Sequence, residues 1–183
     1  MVPFLNYLLW KVILGGVGFR VKSCSLRSMT TSMPRWLNHQ EDHTWRAIWA
    51  LMTWLPARLD AQLRAESGIS LAEYNALSQI SEAPEQTLRL SRLAAAANMS
   101  LSHLSRVITR LEKAGWVTRF PDPDDGRYTL GQLTDDGRQK VATVAPGHVA
   151  AVRRYVFDHL TPDQAEALGV GASTIADAVA PGQ

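Results

Sequence analysis

Cysteine occurs once in this 183-residue chain, at Cys24, which excludes an internal disulfide and any zinc cluster built from cysteines. Neither sign of charge dominates: 19 Lys and Arg against 17 Asp and Glu leave +2, too little by itself to point at nucleic acid. The apolar stretch at residues 4–19 is interrupted by Asn6 and Lys11 and falls short of the roughly 20 residues a spanning helix needs. It also lacks the preceding basic stretch and following small-residue site of a secretory leader. No phosphate-cradling glycine loop, Ser-His-Asp set or pair of carboxylates stands at a readable spacing. The chain is therefore expected to be cytoplasmic, with no membrane partner, no enzymatic activity, no cofactor and no metal.

What is present is enough apolar material for one globular domain, 46% of residues with 20% charged. Its charges are unevenly placed. Residues 34–88 hold four basic and seven acidic side chains, and residues 128–183 hold four and six. Between them, residues 89–121 hold six basic residues and one acid. A basic segment between acidic arms is the layout expected where one part of a chain meets phosphate.

Apolar steps of three and four from Trp45 through Ile48, Trp49, Met52, Leu55 and Leu59 to Leu63 predict a first helix, with a kink or break near Trp54 imposed by Pro56. Ser70 to Glu73 has capping-box spacing and opens a second, ended by Ala83-Pro84. Leu88-Arg89-Leu90 alternates like a short strand, and Ser91 is expected to cap a short third helix. Asn98 tolerates the left-handed backbone of a helix terminus. Ser100 then caps a fourth helix, which is expected to bury Leu101, Leu104, Val107, Ile108 and Leu111 and to stop at Gly115. Short helix, turn and helix make a helix-turn-helix. Residues 116–120 and 127–133 read as strands around the turn-rich 121–126, a hairpin wing. Thr134 caps a long fifth helix and Thr161-Pro162-Asp163 opens a sixth. The fold class is mainly α: a winged helix-turn-helix at 67–134, flanked by an N-terminal dimerisation helix at 34–66 and C-terminal dimerisation helices at 135–180. Residues 1–33 are expected to be an extension outside the folded domain.

With its apolar face inward, the fourth helix turns Ser102, His103, Ser105, Arg106, Thr109, Arg110 and Lys113 outward. Hydroxyls near its start and cations farther along suit base edges and phosphates of a major groove. Arg127 in the wing suits a narrow minor groove, with Asp125 near enough to orient it by a charge-assisted hydrogen bond.

Leu93-Ala94, the run Ser105 to Glu112, Gly115 to Arg119, Asp125-Gly126-Arg127, Leu133-Thr134 and Gly137 occur in an order and spacing that resembles the MarR family of winged-helix transcriptional regulators. The resemblance covers about Trp36 to Ala180. It implies a homodimer held by the first, fifth and sixth helices, binding a pseudo-palindromic operator in double-stranded DNA and released by a small, often aromatic or phenolic, effector. Carried over by position, the recognition-helix residues are Ser102, His103, Ser105 and Arg106, and the wing pair is Asp125 and Arg127. Gly131, Ala97 and Pro56 depart from the family pattern, the last in a way that bears on the geometry of the dimer arm.

The DNA-binding candidates are thus Ser100, Ser102, His103, Ser105, Arg106, Thr109, Arg110, Arg119, Asp125 and Arg127. Aromatic packing is the first explanation of a tryptophan-rich first helix, and Trp45 and Trp49 are secondary candidates for an effector pocket. His39 and His43 stand four apart but lack the Glu of a metalloprotease helix, and Cys24 lies upstream of the first helix. The function expected is a dimeric, sequence-specific DNA-binding regulator, a repressor released by a small ligand. The alternative is a winged-helix module for protein–protein contact, its basic face merely solvated.

Overall fold

The computed structural model describes residues 35–180; Cys24 and the expected extension at 1–33 lie outside them. Helix α1 spans His39–Ser67. It is tied to the next helix by Asp60, whose Oδ1 accepts the Leu71 amide at 2.8 Å. Pro56 lies within α1, yet the helix runs through it unbroken. A proline removes one donor and crowds one carbonyl, and here the turns on either side hold across that gap. At its end, the Ser67 carbonyl accepts from Lys140 Nζ at 2.7 Å.

Helix α2, Leu71–Glu82, has the expected capping box at Ser70 and Glu73. After a short 3-10 turn come strand β1, Thr87–Arg89, and helix α3, Leu90–Ala96. Strand passes into helix with no intervening residue, so Arg89 occupies the N-cap position and no side chain caps α3. Ser91 is therefore inside the helix, not its cap. The turn that follows relies on Asn98, at φ 47°, to reverse the chain into helix α4, Leu101–Lys113.

Gly115, at φ 77°, ends that helix. Strands β2 (Val117–Pro121) and β3 (Thr129–Leu133) form the hairpin. The antiparallel sheet has the order β1-β3-β2, with Leu88 opposite Gly131 and Arg119 opposite Gly131 on the other side. β3 starts two residues later than the sequence predicts, because the Tyr128 amide is still bonded to the Asp125 carbonyl in the turn. Gly131, the departure from the family pattern, has a local reason. A Cβ there would meet Leu90 Cδ2 at 3.1 Å, so Leu90 occupies the space of a bulkier strand residue. Helices α5 (Asp135–Tyr155) and α6 (Pro162–Val179) complete the chain, opened by Thr134 and Thr161 as expected.

The core lies in the winged unit. Leu77, Ile80, Leu93, Leu104, Val107, Ile108, Leu111, Val117 and Leu133 are buried there, joined by Leu63 from α1 and Val144 from α5. Leu101 is not part of it: at the first position of α4 it is 63% exposed, one turn short of the core its helix packs on. The flanking helices contribute less burial, two residues from α1, three from α5 and none from α6. No helix among the described residues is long and apolar enough to cross a membrane.

Of the described glycines, Gly137, in the first turn of α5, has the least room for a side chain. A Cβ there would fall inside the contact distance of the Trp116 carbonyl oxygen, which itself accepts the Thr134 amide at 3.1 Å. Gly137→Ala must push α5 away from the hairpin and is expected to lower stability by roughly 1–3 kcal/mol, the cost of overpacking. An unchanged thermal midpoint in circular dichroism melts would refute this account of the junction.

Candidate nucleic-acid interface

Helix α4 is strongly two-sided. Leu104, Val107, Ile108 and Leu111 are buried, whereas Ser102, His103, Ser105 and Arg106 are exposed. Those four side chains make no hydrogen bond or ion pair among the described residues, and so keep their donors and acceptors available.

The other candidates on or near this helix are already engaged. Ser100 Oγ accepts the His103 amide at 3.2 Å, spending its acceptor on the cap. Thr109 donates its hydroxyl to the Ser105 carbonyl at 2.8 Å. Arg110 Nε donates to Glu73 Oε1 on α2 at 2.6 Å. Arg119, on β2, donates through Nε to Glu112 Oε2 at 3.0 Å, with a second bond through its other nitrogen. The eight candidates on or near α4 therefore divide into a free set of four at the start of the helix and an internally paired set of four, Ser100, Thr109, Arg110 and Arg119.

Glu73 was not foreseen as part of this surface. One oxygen accepts the Ser70 amide and hydroxyl at 2.8 Å each, while the other holds Arg110. Burial pushes its carboxyl up, but the bonds from the Ser70 amide, Arg110 and the Ser70 hydroxyl outweigh it and hold the group below its ordinary range. The signal for Glu73 in the sequence was its cap spacing alone, and nothing there announces a partner on α4, 37 positions away.

In the wing, Asp125 and Arg127 form the pair expected. Arg127 Nε donates to Oδ1 at 2.9 Å and a terminal nitrogen to Oδ2 at 2.7 Å, while the Arg127 amide also donates to Oδ1 at 3.2 Å. The side chain of Arg127 nevertheless remains 84% exposed. Its guanidinium holds the Asp125 carboxyl below the usual carboxylate range. At the start of the same turn sits Asp122, 5% exposed, whose Oδ1 accepts the Asp124 amide at 2.9 Å. Its Oδ2 accepts Arg89 Nε at 2.6 Å. The Asp124 amide first, then Arg89, keep this carboxyl ionised well below its ordinary value. The Arg89 guanidinium also lies 4.6 Å from the centre of the Tyr128 ring.

Trp45 and Trp49 meet in a tilted contact at a centroid distance of 5.7 Å and stay about half exposed. Neither lines the concavity of about 400 Å³ on α1. That space is walled by Leu51, Trp54, Leu55 and Arg58 with Tyr155 at the end of α5. His39 and His43 fall in the first turns of α1, both exposed.

The MarR family model matches residues 69–129, from the start of α2 to the start of β3. Among solved structures, the chain is 40% identical to Sco3205, a MarR family transcriptional regulator from Streptomyces coelicolor crystallised in complex with DNA. The alignment covers 82% of this chain and 94% of that one, with a TM-score of 0.77. AbsC, a MarR family transcriptional regulator of the same organism, is 34% identical over 80% of this chain and 98% of its own, with a TM-score of 0.74. The HTH-type transcriptional regulator YkoM of Bacillus subtilis is 33% identical over 66 residues, 36% of this chain and 42% of that protein. The chain spans about half the length of the curated relatives it matches.

Glu73→Gln keeps an amide at the capping position but removes the charge that holds Arg110. The variant is expected to lose about 1 kcal/mol at neutral pH, less than a buried charge-assisted bond contributes because Arg110 is half in solvent. A carboxyl lowered by folding stabilises above its ordinary value and loses that contribution as pH falls through its folded value. The gap between wild type and variant should therefore close as pH drops below glutamate's usual 4.5. Denaturant titrations at pH 7 and pH 3 measure both, and a gap that widens with acid would refute the assignment.

Proposed function

Since this chain belongs to the MarR family of transcriptional regulators, a family of regulators and not of enzymes, we propose that it is a homodimer that binds a pseudo-palindromic operator in double-stranded DNA. The observation that carries this reading is the unspent polar surface of α4, together with the carboxylate-mounted Arg127. Ser102, His103, Ser105 and Arg106 enter the major groove and read base edges, with Lys113 on phosphate. Arg127 reaches the minor groove, its guanidinium oriented beforehand by Asp125. Arg110, held by Glu73, and Arg119, held by Glu112, serve the surface by fixing it and not by reading sequence. The DNA-bound structure of the 40% identical Streptomyces regulator supports the same partner here.

Residues 34–66 and 135–180 act as the dimer arms and 67–134 as the DNA-binding unit. Support comes from the apolar surface the arms present: Trp49, Met52 and Trp54 on α1, Phe157 after α5, and Leu168, Val170, Ile175 and Val179 on α6 are all exposed in the single chain. Apolar surface on that scale marks an interaction site, and a twofold mate covers it by a self-complementary interface. The pairing sets the two recognition helices about one DNA turn apart, roughly 10 base pairs. A small aromatic or phenolic ligand releases the dimer from its operator, making it a cytoplasmic repressor. The concavity beside Trp54, Arg58 and Tyr155 has aromatic walls and one cation, which suits such a ligand.

Arg106→Ala and Arg127→Ala should each weaken binding to a duplex from the chain's own upstream region by roughly tenfold or more. The thermal midpoint should stay put, because both side chains are exposed. Fluorescence anisotropy at fixed salt measures the affinities, and log Kd should rise steeply with log salt as counterions are released. Unchanged affinity in both variants would remove the interface. Ile175→Glu should convert the dimer to monomer in sedimentation velocity; a variant that stays dimeric at micromolar concentration would exclude α6 from the pairing surface.

A further inference from the structure

The residue that ties the wing to the helix-turn-helix is Arg89. It lies on β1 at one edge of the sheet, whereas the wing turn leaves β2 at the other edge, with β3 between them. Its side chain crosses that width to donate to Asp122 Oδ2 at 2.6 Å, and its guanidinium covers the Tyr128 ring. Both partners belong to the turn that mounts Arg127. The Asp122 amide donates to the Tyr128 carbonyl at 2.9 Å, the Tyr128 amide to the Asp125 carbonyl at 2.9 Å, and the other oxygen of Asp122 takes the Asp124 amide. Asp125 in turn grips Arg127.

Asp122 is nearly inaccessible, so its charge depends on the one guanidinium that reaches it and on the turn amides. Arg89 is also the residue at which β1 becomes α3, the first helix of the helix-turn-helix. One side chain thus spans the two parts of the surface.

We propose that Arg89 is the positioning residue of the wing: by clamping Asp122 and Tyr128 it fixes where Arg127 stands relative to the helix-turn-helix, without itself touching DNA. This rests on the DNA-binding reading above. A wing held in place gives up little freedom on binding, whereas a loose one must be ordered at that moment. Removing the clamp therefore costs affinity only as long as Arg127 is there to be aimed.

A double-mutant cycle with the full chain isolates this role. The probe is a duplex that the wild-type chain selects from a random-sequence pool, with affinities read by anisotropy across a salt series. Arg89→Gln alone should weaken binding roughly tenfold. On the Arg127→Ala background it should add less than about twofold, and Asp122→Asn should behave in the same way in both backgrounds. The slope of log Kd against log salt should be the same for Arg89→Gln as for wild type, because no phosphate contact is lost. Equal losses in both backgrounds, with a slope shallower by about one, would make Arg89 a phosphate ligand and overturn the proposal.

Hydrogen exchange on the free protein gives a readout independent of DNA. In Arg89→Gln the Asp124 and Tyr128 amides should exchange at least about tenfold faster while those of Leu104 to Leu111 keep their protection. Faster exchange throughout, or none in the wing, would likewise overturn it. If wild type selects no duplex, the DNA-binding reading falls and the proposal for DNA falls with it. Wild-type binding that is lost in Arg127→Ala but untouched in Arg89→Gln defeats the positioning role alone.

Discussion

The burial of one face of α4 is the constraint from which the rest of the surface follows. Leu104, Val107, Ile108 and Leu111 are almost wholly withdrawn from water against α2, α3 and the hairpin. Each contributes roughly 1.5–3 kcal/mol relative to exposure. A helix so held has no freedom to rotate, since a turn of 100° would carry a charged side chain into the core. The same contacts that stabilise the unit therefore decide which side chains meet the solvent, and at what angle.

Around that helix, carboxylates sort the arginines. Glu73 and Glu112 hold Arg110 and Arg119 back against the protein, and Asp122 does so with Arg89. Asp125 does the opposite, gripping Arg127 while leaving most of it in solvent. An acidic turn next to a polyanion is repulsive unless its charges are spent. Asp122 and Asp125 spend theirs on guanidiniums and on the amides of their own loop, so the acid-rich 122–125 stretch serves to shape a basic projection.

Much of this was legible where the cause is local. The caps at Ser70, Ser100, Thr134 and Thr161 depend on neighbours within three residues, and the left-handed Asn98 and Gly115 on their own chemistry. The Asp125–Arg127 pair spans two positions and was readable for the same reason. Pairings that need the tertiary fold were not. Arg89 meets Asp122 from 33 positions away, and in the sequence it is one basic residue between two leucines. Leu101 fits the apolar stripe of α4 but stands at its first position, beyond the reach of the core. Ser91 has the chemistry of a cap, yet the strand runs straight into the helix and puts Arg89 in that place. The tryptophans of α1 satisfy the stripe as well, but a stripe does not tell which chain covers it.

Helix α6 spans 18 residues and none of them is buried in the single chain. Fixing the backbone costs on the order of 1–2 kcal/mol per residue, and an isolated helix of that length is only marginal in water. Its order is thus on loan from whatever lies against it. If that is a second copy, dilution frays the end of the chain long before it loosens α4, and the melting temperature of this protein is a function of how much of it is in the tube.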